Sequence, residues 1–204
     1  MPALVHVTDP LVTERLLLRP YEPGDLDALH DMQSRPEVAH YLYWEPRTRS
    51  ESQSSLVRKV GWTCISGQGD TLNLAVTRRS GGPVIGDVLV TYTSAPHQQA
   101  EVGYLFHPDV HGQGLATEAT AAMVDLAFDQ LGVHRVFARL DARNLPSARL
   151  LERLGLQREA HLVQNEWVKG EWVDEVIYAV RADEWAAVRS AGGGVGQRGR
   201  TASR

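Results

Sequence analysis

A strand-like run, Val102–Phe106, leads through a turn containing Gly112 and Gly114 into a long amphipathic segment with helical periodicity. The first backbone N–H groups of a helix have no acceptors within the helix, and the helix dipole places roughly half a positive charge there. An anion is therefore favourable at this turn, and glycines let the backbone approach it. The segment predicts an anion-binding loop, although two glycines can also serve a strand-to-helix turn for geometry alone.

Two well-known phosphate loops do not match this turn. A P-loop needs Lys followed by Ser or Thr after its second glycine, and Leu115-Ala116 stand there instead. The three-glycine dinucleotide pattern is also missing, and no acidic residue closes a following strand at the distance that would serve a ribose. The turn therefore belongs to another class of loop.

A second motif follows downstream. The strand-like run Arg135–Leu140 precedes Asn144, a candidate helix cap, with Pro146 near the first turn of the next helix and Gly155 near its end. Capping alone would explain Asn144. The complete order of strand, glycine loop, helix, strand and Asn-capped helix is more specific than either motif.

These segments resemble those of the Gcn5-related N-acetyltransferases (GNAT family). The run His111–Ala116 is similar to the family's pyrophosphate loop, Arg/Gln-x-x-Gly-x-Gly/Ala, with His111 in place of the usual Arg or Gln. The run Asn144–Leu150, continued by Gly155-Leu156, resembles Asn-x-x-Ser-x-x-Leu…Gly-Phe, with Leu156 in place of the Phe. The resemblance extends from Thr13 to about Trp185.

Other segments look like one branch of the family, the RimJ/RimL-like ribosomal-protein N-terminal acetyltransferases. They are Thr13–Pro20, Glu101–Tyr104, Ala116–Ala119 and Gly170–Asp174 with Tyr178. Aminoglycoside N-acetyltransferases and many small-amine enzymes share this skeleton. The acceptor therefore stays open between a protein N-terminus and a small amine, including aminoglycosides and polyamines.

The resemblance implies acetyl-CoA as cosubstrate and no metal. It places the cofactor contacts at Leu105, Phe106, His107, His111, Gly112, Gln113, Gly114, Leu115, Ala116, Thr117, Asn144 and Ser147. Histidines 107 and 111 on one turn, without a third ligand, would make a weak metal site. A break in sheet pairing along the Val102–His107 strand would free backbone N–H groups to stabilise the thioester carbonyl.

The acceptor must lose a proton, because an ammonium cannot attack a thioester. Glu101 and Glu166 are the candidate bases, and each could equally be a solvated strand carboxylate. In the RimJ/RimL-like branch a glutamate at the matching distance from Ser147 is the base, so Glu166 is expected to dominate. Many family members place a Tyr as the acid four residues after the Ser147 position; Leu151 stands there, which leaves Ser147 as the candidate proton donor.

Aromatic residues crowd an irregular polar segment between positions 36 and 69. Tyr41, Tyr43 and Trp44 are more often packing residues, but loops beside a rigid scaffold commonly set specificity. We therefore assign them as candidate acceptor-binding residues.

The pattern of apolar residues predicts an α/β protein with a mixed, mostly antiparallel central sheet and helices on both faces. The resemblance implies the same architecture, the GNAT fold. Helices are expected from Asp25 to about Gln33 and from about Ser50 to Ser66, besides the two motif helices. Strands are expected at Thr13–Arg19, Leu72–Thr77, Val84–Thr93, Ala100–His107 and Arg135–Leu140, and as a hairpin of Gln157–Val168 and Trp172–Arg181 about Lys169-Gly170.

The chain divides into an N-terminal extension (1–12), the acetyltransferase domain (13–188) and a Gly/Arg-rich tail (189–204) expected to be disordered, with RNA contact as a minority interpretation. No apolar run approaches the ~20 residues of a membrane span, and no secretory signal is evident. The single cysteine, Cys64, excludes an internal disulfide and favours a cytoplasmic location.

The net charge of −4 argues against a general nucleic-acid partner and is compatible with a cationic amine; a homodimer is allowed. Two other functions remain open. One is a CoA-binding sensor or regulatory module of the same fold, and the other is a protein-interaction domain with a vestigial pocket.

Overall fold

The computed structural model describes residues 5–192, which fold as an α/β structure around one large sheet. The strands are β1 (Val5–His6), β2 (Leu11–Val12), β3 (Leu16–Arg19), β4 (Cys64–Ile65), β5 (Thr71–Arg78), β6 (Gly86–Ser94), β7 (Gln99–Phe106), β8 (Arg135–Asp141), β9 (Gln157–Val168) and β10 (Glu171–Arg181). The helices are α1 (Leu26–Gln33), α2 (Pro36–Ala39), α3 (Arg49–Gly61), α4 (Leu115–Asp129), α5 (Leu145–Arg153) and α6 (Ala182–Gly192). Within these residues no helix is long and apolar enough to cross a bilayer.

The large sheet has eight strands in the order β2-β3-β5-β6-β7-β8-β10-β9, and β1 pairs separately with β4. Neighbouring strands are antiparallel except β7 and β8, which run parallel and pair only from Gln99–Glu101 to Arg135–Phe137. This mixed, mostly antiparallel sheet confirms the predicted fold class.

Side-chain alternation divides the core between the two faces of the sheet. On β5, Leu74 and Val76 belong to a cluster that also takes residues from α4, α5 and α6, whereas Ala75 between them joins Leu29 of α1 and Leu56 of α3. Helices therefore cover both faces, as the sequence predicted.

The β9–β10 hairpin has the predicted two-residue turn. Lys169 and Gly170 both have positive φ, 51° and 85°, the conformation that a type I′ hairpin turn requires at its two central positions. Along β9, which lies at the edge of the sheet, most side chains are exposed.

The prediction of a helix reaching Ser66 is wrong. The helix α3 begins after Thr48, whose hydroxyl accepts a hydrogen bond from the Glu51 N–H in a reciprocal capping box, and it ends at Gly61. Cys64–Ile65 then forms β4 by pairing with Val5–His6, a strand within the segment set apart as an extension. The predicted strands also shift at their ends, because only Leu16–Arg19 and Gly86–Ser94 pair in those two regions.

The predicted boundary between the acetyltransferase domain and the C-terminal tail falls inside α6. Residues 189–192, assigned from sequence to the tail, complete this helix, in which the Arg189 guanidinium bonds Asp125 and Asp129. The rest of the predicted disordered tail lies outside the described residues.

Candidate active site

A cleft opens where β7 and β8 separate. Their pairing stops at Glu101 and Phe137, although β7 continues to Phe106 and β8 to Asp141. Backbone groups of a strand point alternately to its two sides, so the separated edges hold N–H and C=O groups that neither strand satisfies for the other. The expected break in sheet pairing is therefore present, beside a cleft of about 300 Å³.

Two walls enclose this cleft. The strand wall comes from β7, β8 and α5 and consists of Val102, Gly103, Tyr104, Leu105, Ala138, Arg139, Leu140, Asp141, Asn144, Ser147 and Leu151. The helix wall comes from α1, α3 and the loop between α2 and α3 and consists of Gln33, Tyr41, Leu42, Tyr43, Trp44, Arg47, Ser55, Arg58, Lys59 and Trp62; β6 adds Asp87 and Leu89.

The cleft collects only some of the site residues predicted from sequence. Tyr41, Tyr43 and Trp44 lie on the helix wall, and Leu105, Asn144 and Ser147 lie on the strand wall. The loop from His111 to Thr117 lies beyond the end of β7, and the side chains of Phe106 and Leu115 are buried in the core. Glu101 and Glu166 do not line the cleft.

The glycine loop has the backbone of an anion site. Gly112 and Gly114 have φ of 74° and 75°, in the left-handed region that favours glycine, and Gly114 is the N-cap of α4. Because no side chain caps this helix, its first N–H groups stay available. A Cβ built at Gly112 would have no neighbour within 4 Å, so the approach to the turn is open, and the loop fits a pyrophosphate.

Side chains from the start of the domain hold this loop. Glu118, in the first turn of α4, accepts hydrogen bonds from the Thr13 hydroxyl at 2.5 Å and from the Arg15 N–H and Nε at 2.8 and 2.7 Å. Burial by itself would raise the pKa of Glu118, but these hydrogen bonds hold it below its usual range. Arg15 also donates to the Gln113 carbonyl at 2.9 Å. Thr13–Arg15 is therefore an anchor for the loop.

The two histidines make hydrogen bonds within the turn, and His107 also contacts α1. The Nε2 atom of His107 lies 3.0 Å from an oxygen of Asp31, and its Nδ1 accepts from the Asp109 N–H. The Nε2 atom of His111 lies 3.2 Å from the Phe106 carbonyl. Within residues 5–192 no group of three or more His, Cys, Asp or Glu side chains could hold a metal ion.

Asn144 and Ser147 lie together on the strand wall. The Asn144 side-chain oxygen accepts from the Ser147 N–H at 3.2 Å, so Asn144 caps α5 while its amide group lines the cleft. The Tyr104 hydroxyl donates to the Ser147 carbonyl at 3.2 Å and ties β7 to α5. Burial raises the pKa of Tyr104 to about 12, so this hydroxyl is a donor at neutral pH.

The two candidate bases lie in different surroundings. Glu101 forms a bidentate pair with Arg139, both contacts being 3.1 Å, so both of its oxygens are already engaged. Glu166 is half-buried on β9, and its charge raises the pKa of Tyr43 and Glu175. Of the two carboxylates, that of Glu101 is therefore the one held in an ion pair with an arginine.

Sequence reasoning missed Glu175, a carboxyl behind the helix wall. This β10 side chain is buried, accepts from the Asn165 amide at 3.0 Å, and lies 3.5 Å from the Tyr43 hydroxyl. Burial raises the pKa of Glu175, the charge of Arg139 opposes this, and the charges of Glu166 and Glu101 add to it. Side chains alternate along β10, with Trp172 and Asp174 on the outer face and Val173 and Glu175 on the inner face. This alternation could have indicated that Glu175 is buried.

A buried ionic network at the base of the helix wall was also missed. Lys59 Nζ donates to Asp87 at 2.9 Å and to the Asn73 side-chain oxygen at 3.1 Å, and the Tyr21 hydroxyl donates to the same Asp87 oxygen at 2.9 Å. Burial and the charge of Asp87 raise the pKa of Tyr21 well above its usual value. No local motif joins these residues, which come from separate parts of the chain.

Comparison with known proteins identifies the class. The model of the acetyltransferase (GNAT) domain family matches residues 15–157. An uncharacterized N-acetyltransferase, p20 of Bacillus licheniformis, is 30% identical over 176 residues, which cover 86% of this chain and 98% of that protein. The crystal structure of a GNAT-family acetyltransferase from Bacillus anthracis superposes with a TM-score of 0.76 at 26% identity, covering 85% of this chain and 99% of the other.

The chain belongs to the GNAT acetyltransferases and is an N-acetyltransferase. Acetyl-CoA is the acetyl donor that this family uses. A more distant relative, the spermidine N(1)-acetyltransferase of Vibrio cholerae, is 24% identical over 163 residues, covering 80% of this chain and 91% of that enzyme.

Proposed function

We propose that this protein transfers an acetyl group from acetyl-CoA to a primary amine by direct attack, with both substrates bound in the cleft. The observation that carries the proposal is the separation of β7 and β8 beside the uncapped start of α4. Free strand edges suit the amides of a pantetheine arm, and the glycine turn suits a pyrophosphate. One elongated ligand with both features can therefore follow the strand wall.

Acetyl-CoA supplies the activated acetyl group as a thioester. The amine nitrogen forms a bond to the acetyl carbon and loses a proton, while the carbon–sulfur bond breaks and the sulfur leaves with the electron pair. Glu166 is the proposed proton acceptor, because its carboxylate is not held by an arginine as that of Glu101 is. Since Glu166 does not line the cleft, the proton would reach it through a water chain. Glu175 holds the Tyr43 hydroxyl behind the same wall.

Ser147 is the proposed proton donor to the departing sulfur. It lines the cleft on α5, and the Tyr104 and Asn144 hydrogen bonds to its backbone fix its position. Leu151 also lines the strand wall, at the position where many family members place a tyrosine, so that acid has no counterpart there. The absence of that tyrosine supports a place beside the RimJ/RimL-like branch.

The test begins with calorimetric titration of acetyl-CoA, which should bind in a one-to-one complex. A panel of N-terminal peptides, amino acids, polyamines and aminoglycosides should then give at least one acetylated product by mass spectrometry, with equimolar CoA release. Failure to bind acetyl-CoA would refute the proposal. Binding without acetylation of any panel member would instead favour a CoA-dependent sensor.

A further inference from the structure

The helix wall contains two arginines with no counter-charge. Arg47 and Arg58 line the cleft, and within residues 5–192 neither guanidinium has a carboxylate within ion-pairing distance. Other basic residues nearby are paired: Arg49 with Asp27 at 2.5 Å and Lys59 with Asp87 at 2.9 Å. The Arg47 guanidinium lies 4.5 Å from the centroid of the Trp44 ring, which fixes it in the wall.

These two charges lie close enough to act on each other. Burial lowers the pKa of Arg47 and the charge of Arg58 lowers it further, while the charges of Glu51 and Asp87 oppose this shift without forming an ion pair with Arg47. The carboxylates that line the same cleft are already engaged, Asp87 with Lys59 and Asp141 with Arg143 at 2.6 Å. The free charge of the cleft is therefore positive, which opposes a polycation and favours an oxyanion.

A buried amide beside the arginines also lacks a partner. Gln33 lines the cleft and is 3% exposed; its Nε2 donates to the Ser55 hydroxyl at 3.2 Å, whereas its Oε1 has no partner among the described residues. The main-chain carbonyl of Gln33 accepts from the main-chain N–H of Arg47 at 2.8 Å, so the two residues are neighbours in the helix wall. Because Oε1 is an acceptor, the partner that it lacks is a hydrogen-bond donor, such as the N–H of an amine.

We infer that the acceptor amine also carries an oxyanion, bound by the guanidinium groups of Arg47 and Arg58. Guanidinium groups bind planar carboxylates through paired N–H donors, so an amino acid or a peptide with a free carboxylate is the favoured class, and a phosphate ester is the other source of the same chemistry. This inference rests on the proposed function only in taking the helix wall as the acceptor side.

The experiment uses pairs of amines that differ in one charge. Methionine is compared with methioninamide, a tripeptide with the same peptide amidated at its C-terminus, and O-phosphoethanolamine with ethanolamine, and spermidine is tested alone. The protein should acetylate the anionic member of at least one pair with kcat/KM about 10- to 100-fold above its neutral partner, the range expected for hydrogen bonds to charged groups. The phosphate pair identifies which oxyanion is preferred.

Variants then assign the preference to these side chains. In Arg47→Gln and Arg58→Gln the preference should fall about tenfold or more, through loss of kcat/KM for the anionic member only. Arg49→Gln is the matched control, because it removes the same charge outside the cleft, from α3, the helix that carries Arg58, and it should keep the preference. Acetyl-CoA affinity should be the same in all three variants.

A binding measurement makes the outcome independent of turnover. With the protein saturated with CoA, the anionic members should raise Tm more than their neutral partners, and Arg47→Gln should abolish the difference. The inference is overturned by equal or better use of amides or spermidine, by an anion preference that survives both substitutions, or by no anion-dependent Tm shift in any pair. If the unmodified protein did not bind acetyl-CoA, that result would overturn the proposed function instead.

Discussion

The two walls of the cleft differ in the kind of group that they offer a ligand. The strand wall and the glycine loop offer backbone: separated strand edges, an uncapped helix start and positive-φ glycines. The helix wall offers side chains, which include two arginines without an ion pair in the described part of the chain and four aromatic rings. A backbone site accepts any side chains that allow its geometry, whereas a side-chain site changes with each substitution. The fold therefore indicates where the acetyl donor binds, whereas the side chains of this particular protein determine which amine acceptor binds.

Local charge also separates the cleft from the whole molecule. The net charge of −4 is compatible with a cationic acceptor, yet the two charges of the helix wall that form no ion pair within residues 5–192, Arg47 and Arg58, are both positive. Composition averages over a surface, while binding depends on the few charges that lack partners within the site. The cleft therefore supports the opposite expectation for the acceptor.

The largest expected effect is that of Glu166→Gln on the chemical step. A general base contributes ~10²–10⁴-fold, and kcat should fall by that range because the amide cannot take up the proton. The loss should be smaller for Glu101→Gln, since Glu101 is already paired with Arg139. Steady-state rates from pH 5 to 9 measure this, and the acidic limb of the profile should flatten in Glu166→Gln alone.

Other outcomes would reassign the base. A nearly normal kcat in Glu166→Gln with a large loss in Glu101→Gln would move the role to the strand beside the cleft. Full rates in both, with the acidic limb unchanged, would mean that the amine enters already neutral, which suits an α-amino group of pKa ~8 better than a lysine near ~10.4.

The next effect tests the backbone site. Gly114 has a φ of 75°, and Gly114→Val places a branched side chain in the turn where the pyrophosphate is expected. The substitution should weaken acetyl-CoA binding by ~10²-fold or more through loss of charge-assisted hydrogen bonds. Calorimetry measures the affinity.

Gly132→Val is the matched control, since Gly132 also has a positive φ of 68° and open space around it, in a turn after α4. Both variants should lose similar stability from backbone strain, ~1–3 kcal/mol, but only Gly114→Val should lose the cosubstrate. Equal affinity in a folded Gly114→Val protein would contradict the loop assignment.

The glycine loop, the cap of α5 and the hairpin turn could be predicted because the information that determines them is local. Gly114 and Asn144 lie within a few residues of the helices that they begin, and the Lys169-Gly170 turn follows directly from two adjacent residues. Short-range rules of helix capping and turn geometry are therefore enough to predict these features.

Tyr41, Tyr43 and Trp44 were predicted and lie on the helix wall, but the contacts around them could not be predicted because they join distant parts of the chain. Lys59 meets Asp87 and Tyr21 across large separations in sequence, and Glu175 reaches Tyr43 from the opposite end of the chain. The misplaced end of α3 has the same origin, since Cys64–Ile65 becomes a strand only through Val5–His6. Packing between distant segments decided these features.

A smaller effect concerns the aromatic part of the helix wall. Trp44→Ala removes the ring that lies against Arg47, and it should raise the KM for the acceptor about 3- to 30-fold, consistent with a partly desolvated cation–π contact and lost apolar area. The KM for acetyl-CoA should change by less than about twofold. Trp172→Ala, at an exposed tryptophan of the hairpin, is the control. Equal rises in both KM values would indicate a structural role for Trp44.

The smallest effect measures how firmly the strand wall is held. Burial raises the pKa of Tyr104 to about 12, above its unfolded value near ~10, so between these pH values the folded state keeps a proton that the unfolded chain has lost. Stability from this group is therefore fully present below pH ~10 and is lost as pH rises toward 12.

Tyr104→Phe removes that dependence together with the hydrogen bond to the Ser147 carbonyl. At neutral pH the variant should be less stable by ~0.5–1.5 kcal/mol, and by pH 11 this deficit should shrink by about 1 kcal/mol. Urea unfolding of both proteins at a series of pH values tests this, because the other tyrosines contribute equally to the two curves and cancel in the difference. A deficit that stays constant with pH would show that the Tyr104 hydroxyl is solvated, and that β7 and α5 are not tied through it.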